Sequence, residues 1–369
     1  MVYAINSDVN NINYSFSGLR DIVASGHEAI ADLFFKKPVP ARSLSNCLKK
    51  VHLNPEVQSL KRDWQKFSSE SGRNAESRRL TAEYDKQVKN HGQLVNIPYN
   101  KLFGSLGLNA GCSGLFMPGI AMIAAHLKQK KGVEDLFVCA TRKALLAKIE
   151  EILANPADQR CSLIACSSNN DSLDWPIHKM AIAIEKKEGK LQIAVLDSMG
   201  SDSFSSSVIY DILKVCDAAS CDPVVSLSMI RRESGGYGCG VFALQDAISF
   251  LQDKDFFQQI NFNGAKSYRG HEVKSLSKLP LAFRIGTQSM QEIEECKRVE
   301  GEKAFDQPMP GRKKTLGEYL KRNVLDHGGK RQNHYITKKT LQYQQFITVA
   351  LKELTTDELK NMINETLLT

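Results

Sequence analysis

The sequence predicts an α/β (α+β) fold in which a mixed sheet is flanked by helices. Three observations predict it. Residues 140–153 have helical spacing, with Leu145, Ile149 and Leu153 on one stripe. Residues 161–166 (CSLIAC) form a short apolar run typical of a buried strand, and residues 178–197 alternate as two strands around the segment KKEGK. A helix, a buried strand and a hairpin in succession are typical of a mixed α/β domain.

The remaining patterns predict how the chain is organised. Beyond the hairpin, residues 204–215 and 241–252 have helical spacing, with the strand DPVVSLSMI between them. Four regions are expected: an extended, Asn- and Ser-rich tail at 1–14, a helical N-terminal region at 15–130, an α/β core at 131–285, and a basic helical region at 286–369.

The composition restricts the class of protein. The chain has 369 residues, of which 42% are hydrophobic and 24% charged, as in ordinary globular proteins. Its nine cysteines form no CxxC pair and match no zinc motif, so we expect free thiols, a reducing compartment and no metal site. The apolar stretch 106–125 contains four glycines and a proline, which favours a buried core segment over a membrane span.

The hairpin brings a histidine near a carboxylate. If its turn is centred on Lys187 and Glu188, His178 and Asp197 lie opposite each other at the open end. The carboxylate would then accept the imidazole N–H, fix its tautomer and stabilise its cation. Taken singly, a histidine before a strand is usually a surface residue and an aspartate beside a serine is usually a turn former.

A third residue completes a possible triad. Cys239 lies in the glycine-rich segment GGYGCG, just before an amphipathic helix. A helix N-terminus lowers the pKa of a thiol, and its free N–H groups can bind an oxyanion. One cysteine among nine is usually structural, so only the conjunction of His178, Asp197 and Cys239 indicates a nucleophile. Together they predict a cysteine-nucleophile acyl-transfer enzyme.

The order His, Asp, Cys is that of a clan of cysteine proteases, clan CE, which includes adenoviral and SUMO-specific enzymes. Within it the chain resembles the YopJ family of bacterial effector acetyltransferases. Three parts carry the resemblance: the hairpin IHKMAIAIEKKEGKLQIAVLDS, the nucleophile segment GYGCGVFALQDA, and a C-terminal pattern made of LPLAFRIGTQSMQEI, KTLGEYLKRN and NHYITKK. The resemblance covers about residues 133–345.

The resemblance implies a clan CE core with a helical regulatory region formed from both ends of the chain. It implies a ping-pong reaction, in which Cys239 takes an acetyl group from acetyl-CoA with His178 as base. The group then passes to a serine, threonine or lysine of a host protein. It also implies delivery by a bacterium into the host cytoplasm, with residues 1–14 resembling a secretion signal.

The family's activator is inositol hexakisphosphate (IP6), held between core and regulatory region. Residues 301–340 hold ten Lys or Arg against four acids, as polyphosphate binding requires. The ligands best placed by motif are Lys321, Arg322, Arg331 and Lys338. The cluster is otherwise a solvated basic face or a nucleic-acid patch, although no nucleic-acid partner is expected.

One departure keeps other functions open. Six residues before the nucleophile, where the clan commonly has an oxyanion-binding Gln, this chain has Glu233, whose negative charge would oppose a developing oxyanion. Two alternatives follow: a protease for ubiquitin- or SUMO-like modifiers, favoured by WPIH and LDS, and a catalytically decayed adaptor that binds a host protein.

Overall fold

A mixed sheet forms the centre of the computed structural model, which describes residues 41–62, 117–166, 178–200, 202–234, 238–327 and 330–368, with isolated positions between 72 and 86. Its strands are β1 (Leu136–Cys139), β2 (Gln159–Cys166), β3 (Lys179–Lys187), β4 (Lys190–Leu196), β5 (Val224–Ser228), β6 (Asn261–Tyr268), β7 (His271–Lys278) and β10 (Leu367–Leu368). A separate hairpin consists of β8 (Val324–His327) and β9 (Lys330–Asn333).

The strand order across the sheet is β10-β1-β2-β3-β4-β5-β7-β6. The pairs β2–β3, β3–β4 and β6–β7 are antiparallel, and the other four pairs are parallel. The predicted mixed sheet is therefore confirmed.

Helices cover both faces of this sheet. In chain order the described helices are α1 (Ala41–Leu53), α2 (Pro55–Arg62), α3 (Met117–Lys131), α4 (Arg142–Ala154), α5 (Asp202–Ala218), α6 (Cys239–Gln252), α7 (Phe256–Gln259), α8 (Met290–Glu300), α9 (Glu302–Phe305), α10 (Leu316–Asn323), α11 (Tyr335–Glu353) and α12 (Thr356–Asn364). A short 3₁₀ turn follows β7 at Leu281–Phe283.

Two hydrophobic clusters lie on opposite faces of the sheet. In β3, Ala181 and Ala183 belong to the cluster that contains α3, α6 and α11, whereas Ile182 and Ile184 belong to the cluster with α4 and α5. Side chains of a strand alternate between faces, so a central strand covered on both faces is apolar throughout. This explains the continuous apolar run of β3.

The β3–β4 hairpin differs in register from the expected one. Its turn residues are Glu188 and Gly189, with φ of 51° and 75°, and Lys187 pairs with Lys190. Two consecutive positive φ values are typical of a tight two-residue hairpin turn. Because the turn is centred one residue later than predicted, His178 and Asp197 are diagonal neighbours on one face rather than directly opposed.

The C-terminal region contributes to the sheet. Residues 286–369 were expected to be helical, yet they contain the β8–β9 hairpin and strand β10, which pairs in parallel with β1. The polar β6–β7 hairpin was not predicted either. The four expected regions remain a prediction, and the tail at 1–14 lies outside the described residues.

Helix α3 contains the second part of the apolar stretch 106–125. Residues Ile120 to Ala125 are almost completely buried, and residues 106–116 lie outside the described part of the chain. Among the residues that the structure describes, no helix is both long and apolar enough to cross a membrane.

Candidate active site

The end of the β3–β4 hairpin holds a histidine against a buried carboxylate. His178 directly precedes β3 and Asp197 directly follows β4, and His178 Nε2 lies 2.6 Å from Asp197 Oδ1. Asp197 is completely buried, and the same Oδ1 accepts the backbone N–H of Met199 at 2.8 Å. The carboxylate is thus fixed in place, and it leaves the other ring nitrogen of His178 for a further partner.

Cys239 is the first residue of α6, with Gly238 as the N-cap, whereas the sequence placed it just before the helix. Helix α6 packs against β2 and β3, which brings its N-terminus to the end of the hairpin that carries His178. The thiol of Cys239 forms a hydrogen bond with the imidazole of His178. The structure therefore brings together the three residues of the predicted triad.

The electrostatics of this group favour a charged pair. Burial by itself lowers the pKa of His178, but the hydrogen bonds and negative charges of Asp197 and Cys239 raise it to about 10. Burial by itself raises the pKa of Cys239, but the hydrogen bond from His178 and the charge of Lys179 outweigh burial and lower it. A thiolate beside an imidazolium is the activated form of a cysteine nucleophile.

The carboxylate of Glu233 is buried and accepts two hydrogen bonds. The hydroxyl of Ser198 donates to Oε2 at 2.6 Å, and the N–H of Gly238 donates to Oε1 at 2.7 Å. Burial raises the pKa of Glu233, while these two hydrogen bonds act in the opposite direction. The N–H of Gly238 donates to this carboxylate, which leaves the N–H groups of Cys239 and Gly240 as the donors at this helix end that have no acceptor within α6.

The turn before the nucleophile is packed against α11. A Cβ atom at Gly238 would lie 2.8 Å from Cγ2 of Ile336, and one at Gly286 would lie 2.7 Å from its Cδ1. Real Cβ atoms do not approach so closely, so a side chain at either position would have to displace Ile336. Ile336 in the first turn of α11 therefore forms a direct contact between the C-terminal region and the nucleophile turn.

A basic cavity of about 280 Å³ lies beside α11, which lines it between Tyr335 and Phe346. Its lining includes seven cationic side chains, which are Lys130, Lys131, Arg312, Lys314, Arg322, Lys338 and Lys339. No acidic side chain is among the described residues that line it. Burial, followed by repulsion from neighbouring cations, lowers the pKa of both Lys338 and Lys339 to about 8. The cavity is therefore a strongly electropositive site.

The four residues predicted for polyphosphate binding fall into two pairs. Arg322 and Lys338 line the cavity, whereas Lys321 and Arg331 are exposed and do not line it. Lys130 and Lys131 also line the cavity and were not predicted, although the run KQKK at the end of α3 is a signal for them. Only the packing of α3 against α11 brings them to a cluster that lies far along the chain.

A family model, described as YopJ Serine/Threonine acetyltransferase, matches residues 117–345, a range that includes the triad and most of the cavity lining. The chain belongs to this family. YopJ-family membership makes it a protein acetyltransferase and decides against the predicted alternative of a modifier protease. Curated proteins provided no significant match to the sequence.

Solved structures of YopJ-family effectors show a similar architecture. HopZ1a in complex with IP6 is 11% identical, with 76% of this chain and 99% of that chain covered and a TM-score of 0.50. AvrA with IP6 and CoA is 15% identical, with 74% and 98% covered and a TM-score of 0.49. At this identity the likeness to HopZ1a shows the shared fold alone.

Proposed function

We propose that the chain transfers an acetyl group from acetyl-CoA to a serine, threonine or lysine of a host protein, through an acetyl-Cys239 intermediate. One observation carries this proposal: Cys239 lies at a helix N-terminus and bonds to a histidine that a buried aspartate holds at 2.6 Å. This arrangement supplies a nucleophile, a proton carrier and an oxyanion site within one group of residues.

In the first half-reaction the thiolate of Cys239 attacks the thioester carbonyl carbon of acetyl-CoA. The N–H groups of Cys239 and Gly240 stabilise the oxyanion of the tetrahedral species. The bond between the carbonyl carbon and the CoA sulfur then breaks, and the imidazolium of His178 gives its proton to the departing thiolate. The products are free CoA, acetyl-Cys239 and a neutral His178.

In the second half-reaction neutral His178 accepts the proton of the acceptor hydroxyl or amine. The acceptor atom attacks the acetyl carbonyl, and the carbon–sulfur bond to Cys239 breaks. Thiolate and imidazolium are restored together. Asp197 does not take the proton but orients the imidazole and stabilises its cation in both halves of the cycle.

IP6 is proposed to bind the basic cavity as the activator. Seven cations with no acid among the described lining residues fit a ligand that carries many phosphates. HopZ1a, which contains IP6 in its solved structure, supports the same ligand class. Lys338 and Lys339 belong to the helix whose Ile336 touches the nucleophile turn, so binding at this cavity would restrain that turn.

Family membership also supports delivery of the protein by a bacterium into a host cell, with action on a protein in the host cytoplasm. The tail at 1–14 would then serve as the secretion signal. Removal of residues 1–14 should abolish delivery into host cells and leave acetyl transfer by the purified protein intact.

The proposal is tested by incubating purified protein and a host target with labelled acetyl-CoA, with and without IP6. We expect label on Cys239 and then on the target, both increased by IP6, and no label with Cys239→Ala. Absence of label on wild-type protein under every condition would support the adaptor alternative instead. Label that persists with Cys239→Ala would show that the thiol is not the nucleophile.

A further inference from the structure

Glu233 contacts both sides of the active site, through Ser198 on one side and Gly238 on the other. We propose that Glu233 is a positioning residue. Through Ser198 it bonds to the end of β4, where Asp197 lies, and through Gly238 it bonds to the turn before Cys239. The proposal rests on the proposed function, because it assigns Glu233 to the placement of Cys239 against His178.

At the end of β4 that carries Asp197, the contact joins Ser198 to Arg232 and Glu233. Ser198 follows Asp197 in the chain, and its hydroxyl donates to Glu233 Oε2 at 2.6 Å. Its carbonyl oxygen accepts the N–H groups of Arg232 and Glu233 at 2.8 and 2.9 Å. Three hydrogen bonds, two of them from or to Glu233 and one from Arg232, thus fix residues 232 and 233 against the end of β4. Both Ser198 and Glu233 are only 1% exposed.

On the nucleophile side the contact is a single directed bond. Gly238 is the N-cap of α6, and its N–H donates to Glu233 Oε1 at 2.7 Å. Ile336 closes the other side of Gly238, since its Cγ2 would lie only 2.8 Å from a Cβ atom at that position. The residue before Cys239 is therefore held between a carboxylate and an apolar side chain, and this placement sets where α6 begins.

Two substitutions at residue 233 distinguish the effect of its negative charge from the effect of its hydrogen bonds to Ser198 and Gly238. A glutamine at 233 can accept the Gly238 N–H through its carbonyl oxygen and donate its NH₂ to the Ser198 hydroxyl, which also accepts. Glu233→Gln therefore removes the negative charge and retains both contacts. Glu233→Ala removes the charge and both contacts, so the difference between the two variants isolates positioning.

The test measures alkylation of Cys239 by iodoacetamide against pH, together with kcat for acetyl transfer. The negative charge of Glu233 raises the pKa of Cys239, so Glu233→Gln should shift the alkylation profile to lower pH and retain most of kcat. Glu233→Ala displaces the thiol from His178, so its profile should lie roughly one unit or more above that of the Gln variant. Its kcat should fall about 100-fold.

Ser198→Ala perturbs the same contact less than Glu233→Ala does, and Ser226→Ala is its matched control. It removes one of the two contacts and should give an intermediate loss of kcat. Ser226→Ala, in β5, removes another buried serine hydroxyl, which donates to the carbonyl of Ile193 in β4 at 3.3 Å. This variant should leave kcat unchanged. If Glu233→Ala does not fold, this serine pair decides the question.

Identical profiles and kcat values for Glu233→Ala and Glu233→Gln would overturn the proposal, as would equal kcat values for Ser198→Ala and Ser226→Ala. A kcat for Glu233→Gln well above that of wild type, with no shift of the profile, would instead assign residue 233 to the oxyanion site. Failure of the proposed function is recognised separately, because wild-type protein would then take no label from acetyl-CoA, whereas the alkylation profiles of the Glu233 variants would still differ from each other.

Discussion

Arg232 and Asp246 form a bidentate ion pair in which neither side chain is exposed. The two nitrogen–oxygen distances are 2.6 and 2.7 Å, and Arg232 also donates to the carbonyl of Phe283 at 3.2 Å. The pair joins the segment that leads to the nucleophile turn with helix α6, which follows it. Burial raises the pKa of Asp246, and the guanidinium opposes this effect.

Loss of one partner should destabilise the fold strongly. Asp246→Asn leaves the charge of Arg232 buried without a counter-ion, and this should lower the free energy of unfolding by about 3 to 5 kcal/mol. Urea unfolding followed by circular dichroism measures the change. The double variant Arg232→Met with Asp246→Leu should recover much of the loss, because no buried charge remains.

A surface pair provides the control for this prediction. Arg298 and Glu295 form an ion pair one turn apart on α8, and both side chains are more than half exposed. Arg298→Ala should leave the urea midpoint unchanged, because water already solvates both charges. An Asp246→Asn variant as stable as Arg298→Ala would contradict the role assigned to the buried pair.

Removal of the imidazole should suppress the reactivity of the nucleophile. In His178→Ala the thiol of Cys239 loses the hydrogen bond that lowers its pKa, so burial dominates and the pKa rises. Alkylation by iodoacetamide should then require a higher pH than in the wild-type protein, with Cys239→Ala used to subtract the other cysteines.

His271 offers a matched histidine for this measurement. Its Nε2 also lies 2.6 Å from an aspartate, Asp217, at the edge of the sheet near β6. His271→Ala should leave the alkylation profile of Cys239 unchanged. A shift of equal size in both histidine variants would indicate a general loss of structure rather than the loss of a specific bond.

The sequence was sufficient to predict that His178, Asp197 and Cys239 lie together, because each element that carries them has a local pattern. Apolar runs mark β3 and β4, a two-residue turn joins them, and an amphipathic pattern marks α6. The role of Glu233 was not predictable, since it depends on Ser198 arriving from a different strand. Strand β6 was missed for a physical reason: nearly all of its residues are exposed, so no alternation of apolar and polar residues marks it.

Two of the four residues predicted to bind IP6 line the basic cavity and two do not, so the second pair is the control for the first. Arg322→Ala and Lys338→Ala should each weaken IP6 binding, by about tenfold or more if each removes a charge-assisted hydrogen bond. Lys321→Ala and Arg331→Ala should have little effect, because neither side chain lines the cavity. Isothermal titration calorimetry measures all four. Equal losses in the two sets would place the ligand outside the cavity.

Binding of IP6 should consume protons. Burial and neighbouring cations lower the pKa of Lys338 and Lys339 to about 8, and a bound polyanion would raise both pKa values again. The complex therefore holds more protons than the free protein, and affinity should fall as the pH rises from about 7 to about 9. Calorimetry in buffers with different ionisation enthalpies detects the uptake, and its absence would contradict this charge state.

The pairing of β10 with β1 has a consequence for biosynthesis. Leu367 pairs with Val138, so one edge of the sheet remains open until nearly all of the chain described here has left the ribosome. The nascent protein must therefore expose the edge of β1 for most of translation, and an unpaired strand edge is a template for aggregation. A chain held open in this way would be a natural client for a chaperone that covers β1 until Leu367 arrives.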